Sequence, residues 1–189
     1  IYDLQENTQR KTPFHYPDIE YKGHPLGFTS DYFKGRFVYA SPDHDDIFVY
    51  SNDTVMNTYS CKSAYREKPF VLSISQSDDM ASMTRGELYK ESLKHPMYMH
   101  IMHDPYRNVV YRFFVPGIQA KKHDNIGLLH QCKKTFSIMV LNEQFEVIGE
   151  TLLPEMTVSP NLWFINEDGL YIIRHLGHPH YDPDYLVFH

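Results

Sequence analysis

Short β-type runs joined by turn-forming residues are the feature that most constrains how this chain can fold. Four pairs of runs flank turns rich in Asp, Asn, Pro or Gly, which is typical of antiparallel hairpins. The pairs are residues 36–40 with 47–50, 97–102 with 109–115, 135–141 with 145–152, and 162–165 with 170–174, and a last run covers 185–188. Helical periodicity is weak and confined to residues 85–93. The pattern therefore predicts an all-β chain.

The run at residues 109–115, VVYRFFV, is apolar or aromatic on both of its faces. Such a strand is expected in a sheet that is covered on both sides. Antiparallel sheets that stack face to face around an axis form a β-propeller. A β-sandwich built from the same hairpins is the alternative, and the pattern of runs leaves both open.

Composition excludes several classes of protein. The chain has 189 residues, 42% of them hydrophobic, which indicates one globular domain rather than a disordered or fibrous protein. It carries 18 basic and 24 acidic residues and has no long basic block, which argues against nucleic-acid binding. No run approaches the roughly 18 apolar residues of a membrane-spanning helix.

The two cysteines, Cys61 and Cys132, are far apart and form no Cys-x-x-Cys pair, so a zinc site built on thiolates is not expected. They form either one disulfide or two buried thiols, and we favour the thiols. The sequence contains no nucleophile elbow and no glycine-rich phosphate loop. No catalytic residue is therefore assigned.

The chain is rich in histidine, with 12 residues of this type. His175, His178 and His180 precede Asp182 and Asp184, and imidazoles with carboxylates are ligands for a divalent cation. Asp and Pro in the same stretch also suit an ordinary turn, which is the interpretation we prefer. A bound divalent cation is the only cofactor that the sequence suggests.

Two further polar groups have simpler interpretations than metal binding. Residues 43–46 contain three aspartates but lack the glycine and the late glutamate of an EF-hand loop, so we expect a solvated hairpin tip. Near residue 100, we expect His100 to pack in the sheet and His103 with Asp104 to begin a turn.

Arg107 and Arg112 are the strongest candidates for ligand contacts. Arg112 lies between apolar neighbours on a strand that we expect to be covered, so its guanidinium needs a partner or a wet axial channel. Asp104 is the partner that the sequence suggests. Tyr111 and Trp163 complete the candidate site, because exposed aromatic side chains near loops suit peptides or carbohydrates.

Three segments in a fixed order resemble a known family. They are DPYRNVVYRF at 104–113, TFSIMVL at 135–141 with GETLLP at 149–154, and EDGLYI at 167–172 with the residues that follow to 188. Together they are similar to domain-of-unknown-function family 4221, which comprises exported bacterial proteins with a TolB-like six-bladed propeller. The likeness covers residues 36–189 and follows the order of that family's C-terminal half.

The resemblance implies about three four-stranded blades, near residues 30–75, 95–155 and 160–189, forming half of a six-bladed propeller in one domain. It implies a non-enzymatic binding or scaffold module in the cell envelope or periplasm, of the outer-membrane lipoprotein type, with any lipid anchor outside this chain. The alternative is a metal-dependent hydrolase of the propeller-lactonase kind.

Family members are roughly twice as long as this chain. Because the chain begins at Ile1 without Met, we expect either that a leader has been removed or that it starts inside a longer protein. The resemblance therefore implies a partner, either the missing N-terminal half or a second copy of the chain. Three blades are expected to expose strand aromatics such as Phe37, Tyr39, Phe48 and Tyr50.

Overall fold

A computed structural model of the chain describes residues 29–51, 54–67 and 83–189, together with the backbone of two short strands near the N-terminus. Side chains are described throughout these ranges except at 2–3, 8–9 and 54–56. The strands are β1 (Tyr2–Asp3), β2 (Thr8–Gln9), β3 (Thr29–Phe33), β4 (Arg36–Ala40), β5 (Asp46–Ser51), β6 (Thr54–Ser60), β7 (Met97–Asp104), β8 (Val109–Val115), β9 (Ser137–Leu141), β10 (Val147–Leu152), β11 (Val158–Ile165) and β12 (Leu170–Arg174). The helices are α1 (Arg85–Leu93) and α2 (Ile126–Cys132).

The described strands form antiparallel sheets in which neighbours in the sequence are neighbours in space. The first sheet has the order β3-β4-β5-β6, and the second has the order β7-β8-β9-β10. The third sheet pairs β11 with β12, and β1 pairs with β2 separately. The prediction of a mostly β chain built from antiparallel hairpins is therefore confirmed.

The predicted antiparallel hairpins are confirmed, and the structure gives their register. Met97 pairs with Val115 and Asp104 with Val109 in the second sheet, whereas Ile165 pairs with Leu170 in the third. Helix α1 lies where the weak periodicity predicted it. It begins at Arg85 because Thr84 caps its N-terminus and exchanges hydrogen bonds with Glu87.

Three expectations need correction. The third sheet contains two strands rather than four, and residues 185–188 contribute only an isolated bridge between Phe188 and Ile173. Helix α2 was not expected, although Asn125 caps it by accepting a hydrogen bond from the Leu128 N–H group. Strands β3 and β6 were also missed, because their sequences, TSDYF and TVMNTYS, alternate weakly between apolar and polar residues.

The second sheet is covered on both faces, as expected from residues 109–115. On β9, Met139 and Leu141 are buried in a cluster with first-sheet residues, whereas Ile138 and Val140 face the third sheet and remain half-buried. Side chains alternate between the two faces of a strand, so one strand contributes to both clusters. The three sheets are thus stacked in chain order.

The first and second sheets also meet along β3 and β7. The Thr29 hydroxyl donates a hydrogen bond to the Met99 carbonyl (3.0 Å), and the Asp31 carboxylate accepts one from the His103 N–H group (2.6 Å). Because residue numbers rise together along the two strands, β3 and β7 run in the same direction.

The outer face of the first sheet differs from expectation. Tyr50 is 5% exposed, and Phe37, Tyr39 and Phe48 are half-buried rather than open. The rings of Tyr39 and Tyr50 pack edge to face at 5.4 Å. Packing among the aromatic side chains themselves removes part of the surface that was predicted to be exposed.

The two helices pack against each other outside the sheets. The rings of Tyr89 in α1 and His130 in α2 stack at 4.2 Å between centroids. Within the described ranges, no helix is long and apolar enough to cross a membrane.

Gly117 connects β8 to the segment that leads into α2, and it is the basis of a first prediction. Its φ is +84°, and a Cβ atom at this position would lie 2.6 Å from the Lys94 carbonyl oxygen. We expect Gly117→Ala to lower the free energy of unfolding by about 2–3 kcal/mol, measured by urea denaturation. Gly86→Ala, in α1 with no atom near its Cβ, is the matched control and should be neutral or slightly stabilising. Equal stability of the two variants would contradict the steric argument.

Candidate functional site

Arg112 is fully buried between the first and second sheets, and its terminal nitrogens bind backbone carbonyls. Its Nη1 donates to the carbonyls of Asp45 (2.6 Å) and Cys61 (3.4 Å). Its Nη2 donates to those of His44 (2.7 Å) and Ser41 (3.2 Å). The guanidinium of β8 therefore links the second sheet to the β4–β5 turn and to the segment after β6. No part of it is exposed to a ligand.

The positive charge of Arg112 is stabilised by an aromatic ring and, through that residue, by a carboxylate. Its guanidinium lies 3.7 Å from the centroid of the Tyr98 ring, a cation–π contact. The Tyr98 hydroxyl donates to Asp45 Oδ1 (2.5 Å), which also accepts from Arg66 Nη1 (2.6 Å). Burial lowers the pKa of Arg112 to about 10, so it stays charged at neutral pH. The expected pairing of Arg112 with Asp104 is wrong.

The acidic turn at residues 43–46 is not the solvated tip that the sequence predicted. Asp43 is 5% exposed and accepts a hydrogen bond from the Ser41 hydroxyl. The Tyr98 N–H group donates to the Pro42 carbonyl at 2.6 Å. Asp43 is therefore buried, His44, Asp45 and Asp46 are half-buried, and carbonyls of this turn bind Arg112.

Asp104 and Arg107 form a second link, between the second and third sheets. Arg107 Nη1 lies 3.0 Å from Asp104 Oδ2 and also donates to the Asn166 carbonyl (3.2 Å), while Nη2 donates to that of Glu167 (2.7 Å). The Tyr111 hydroxyl donates to the same Asp104 oxygen at 3.1 Å. Burial alone would raise the pKa of Asp104, but the hydrogen bonds from Arg107 and Tyr111 hold it below its ordinary value.

A groove lies between the second and third sheets, and we call it the inter-sheet groove. It is a cavity of about 390 Å³ whose lining is mostly apolar. The lining residues are Tyr111, Ile138, Val140, Thr151, Leu153, Val158, Leu170, Ile172 and His189. Of the predicted ligand contacts, Tyr111 lies in this groove. Trp163 is paired with Ile172 on the same face and lies 5.6 Å from the His100 ring.

A second cavity, of about 360 Å³, lies where the segment after β6 meets the ends of α1 and β8. Its lining combines one aromatic ring with carboxylate, ammonium and amide groups and with prolines. The residues are Tyr65, Glu67, Lys94, Pro96, Pro116, Gly117 and Gln119. This mixture of groups suits a small polar ligand better than an apolar one.

The three histidines suggested as metal ligands are held by their own loop. His175 is 4% exposed, and its Nδ1 accepts a hydrogen bond from the Gly177 N–H group (2.8 Å). His178 Nδ1 accepts one from the His180 N–H group (3.1 Å). Burial, with the nearby Lys134, lowers the pKa of His175. Among the residues that the structure describes, no group of three or more His, Cys, Asp or Glu side chains is placed to hold a metal ion.

Both cysteines are buried free thiols, so the preferred interpretation is confirmed. The Cys61 thiol donates to the Phe145 carbonyl at 3.1 Å, and burial raises its pKa to about 11. A thiol with a raised pKa has little thiolate at neutral pH, so Cys61 is a core residue rather than a nucleophile.

One polar cluster was not predicted. Glu150 Oε1 accepts hydrogen bonds from the hydroxyls of Ser63 (2.6 Å) and Ser137 (2.5 Å), and Oε2 accepts one from the Ala64 N–H group (2.7 Å). The carboxylate thus ties the segment after β6 to the second sheet. The sequence offered no signal beyond a single glutamate within the strand β10.

The Arg112 link gives a second prediction. Arg112→Met should lower the free energy of unfolding by about 3–5 kcal/mol, because it leaves four buried or part-buried carbonyls without their donor. Arg107→Met is the matched control, and it should cost only about 1 kcal/mol. Asp104 keeps hydrogen bonds from the Tyr111 hydroxyl and from the Tyr106 and Arg107 N–H groups, and the two carbonyl bonds that Arg107 makes are exposed to water. Urea denaturation of both variants measures the difference. Similar losses would mean that Arg112 does not hold the sheets together.

Two half-buried histidines give a third prediction. Burial lowers the pKa of His100 and of His103 in the folded chain, although Asp31 and Asp104 act in the opposite direction on His103. The unfolded chain therefore binds protons more readily, so stability is complete above the ordinary pKa of 6.5 and falls as the pH decreases below it. The contribution of Asp104 is lost only below pH 3.8.

The measurement is urea denaturation at about pH 7.5 and about pH 5. We expect the wild-type chain to be less stable at the lower pH and the His100→Gln, His103→Gln double variant to lose less stability between the two. An equal loss in both proteins would show that other groups cause the pH dependence.

Comparison with known proteins gives two matches. The family model described as Domain of unknown function (DUF4221) matches residues 1–152. A crystal structure of a DUF4221 family member from Bacteroides vulgatus ATCC 8482 is 29% identical, with a TM-score of 0.80, and the match covers 99% of this chain and 52% of that one. The chain thus spans about half the length of this solved relative. No curated protein matches it. The chain belongs to the DUF4221 family.

Proposed function

We propose that the chain is one half of a TolB-like six-bladed β-propeller that acts as a non-enzymatic binding or scaffold module. The observation that carries this proposal is the stacking of antiparallel sheets in chain order. Two meanders of four strands lie side by side, and β3 and β7 run in the same direction along their contact. That arrangement is the one expected of neighbouring propeller blades.

Support for a scaffold comes from two arginines, Arg112 and Arg107, whose side chains bind other elements of the fold. The Arg112 guanidinium binds backbone carbonyls of the first sheet's turn and of the segment after β6. Arg107 binds Asp104 and the β11–β12 turn. These are the two arginines that the sequence suggested for ligand contacts, and both hold elements of the fold together. The metal-dependent hydrolase has no such observation in its favour.

The proposal includes a partner for the outer face of the third sheet. Leu162 and Phe164 on this face are 43% and 41% exposed. Phe164 stacks on Tyr171 at 4.8 Å and contacts Phe188 at 5.0 Å, so the exposed residues form a continuous apolar patch. The rest of a closed ring would cover it, supplied either by the missing N-terminal half or by a second copy of the chain.

The remaining parts of the proposal concern ligand and location. The cavity that contains Tyr65, Glu67 and Gln119 is the place where we expect a peptide or carbohydrate ligand, because it combines an aromatic ring with polar groups. The family resemblance adds a place in the cell envelope or periplasm, as an outer-membrane lipoprotein whose anchor lies outside this chain.

Sedimentation of the purified 189-residue chain at micromolar concentration tests the partner. We expect a mass above 22.4 kDa, either as a dimer or as a complex with a second polypeptide. Phe164→Asp should reduce the assembly to a monomer, because it places a charge in the apolar patch. Tyr106→Asp is the control, since Tyr106 is 60% exposed in the β7–β8 turn, away from the patch. A well-folded wild-type monomer would contradict the half-ring.

A further inference from the structure

Among the strands that the structure describes, the third sheet is narrower than the second, and part of the second sheet is less well covered as a result. The third sheet has two strands where the second has four. On β9, the residues that face the first sheet, Met139 and Leu141, are fully buried, but Ile138 and Val140 on the other side are only half-buried. The inter-sheet groove lies over β9 and β10, beyond the edge of the third sheet.

The outer edge of β12 already pairs with the end of the chain. Ile172 and His189 exchange two backbone hydrogen bonds, of 3.1 and 3.0 Å, and Arg174 donates one to the Val187 carbonyl at 2.7 Å. Antiparallel pairing alternates, so the next groups on this edge are the N–H and C=O of Leu170. Within the described ranges, no backbone group pairs with them on that edge.

The pairing also determines which side chains would enter the groove. His189 is directly opposite Ile172, and both line the groove. A strand that continued past His189 would place its second residue opposite Leu170, on the same face. Every second side chain would therefore point at Ile138 and Val140, and the residues between would point away.

We propose that the β12 edge and the inter-sheet groove accept a further β-strand, antiparallel to β12, with an apolar side chain at every second position. The occupant is a segment of the family polypeptide outside residues 1–189. The solved relative has length to supply it, because this chain covers 52% of that one. Leu170 supplies backbone hydrogen bonds and the groove supplies the apolar contacts, which is the way an edge strand binds an added strand. The site does not depend on whether the sheets close into a ring.

Two extensions of the chain after His189 test this strand site. The first adds Thr-Val-Thr-Val-Lys, which directs both valines into the groove. The second adds Thr-Ser-Thr-Ser-Lys, which changes only the two residues that face the groove, because valines on the opposite face would meet the apolar patch of Phe164, Tyr171 and Phe188. We expect the first extension to raise the midpoint of thermal unfolding by about 5 °C and the second to leave it within about 1 °C of the unextended chain.

Hydrogen exchange gives a second measurement on the same proteins. The Leu170 amide should exchange at least about tenfold more slowly in the first extension than in the unextended chain, because its N–H gains a partner. The gain in thermal stability should also disappear when Val140→Ser is combined with the first extension. Equal effects of the two extensions, or no effect of either, would overturn the proposal.

Discussion

The buried guanidinium of Arg112 is the interaction on which the arrangement of the first two sheets depends. A buried charge needs hydrogen-bond acceptors, and here the two terminal nitrogens of Arg112 find them in backbone carbonyls on other elements. The β4–β5 turn must therefore approach β8 with its carbonyls pointing inward. Tyr98 and Asp45 complete the environment, since Tyr98 covers one face of the guanidinium and Asp45, bound to the Tyr98 hydroxyl, supplies a negative charge. Sheet packing and charge burial thus require the same geometry.

The hairpins could be predicted because their signals are local. Apolar runs around turns of Asp, Asn, Pro and Gly identify β7 with β8 and β11 with β12 without knowledge of distant residues. Strand β3 was missed because three of its five residues, Thr29, Ser30 and Asp31, are polar. Its strand conformation depends on pairing with β4 and on the contact of Asp31 with β7, both of which are tertiary.

The candidate site shows the same division between local and distant causes. The sequence indicated that Arg112 needs partners, because a charged side chain on a covered apolar strand must form hydrogen bonds. It suggested Asp104, which instead pairs with Arg107 three residues away. The true acceptors of Arg112 are carbonyls about 50 to 70 positions away. Every residue has a carbonyl, so no pattern of side chains could have identified them.

Strand β9 shows why burial cannot be predicted from the composition of one strand. Its two faces carry similar aliphatic residues, Met139 and Leu141 on one side and Ile138 and Val140 on the other. The first pair is fully buried because a four-stranded sheet covers it, and the second pair is half-buried because a two-stranded sheet does not reach it. The hydrophobic effect gives both faces a comparable reason to be covered. The number of strands in the neighbouring sheet therefore decides which face stays open. That number depends on other segments of the sequence and not on the residues of β9.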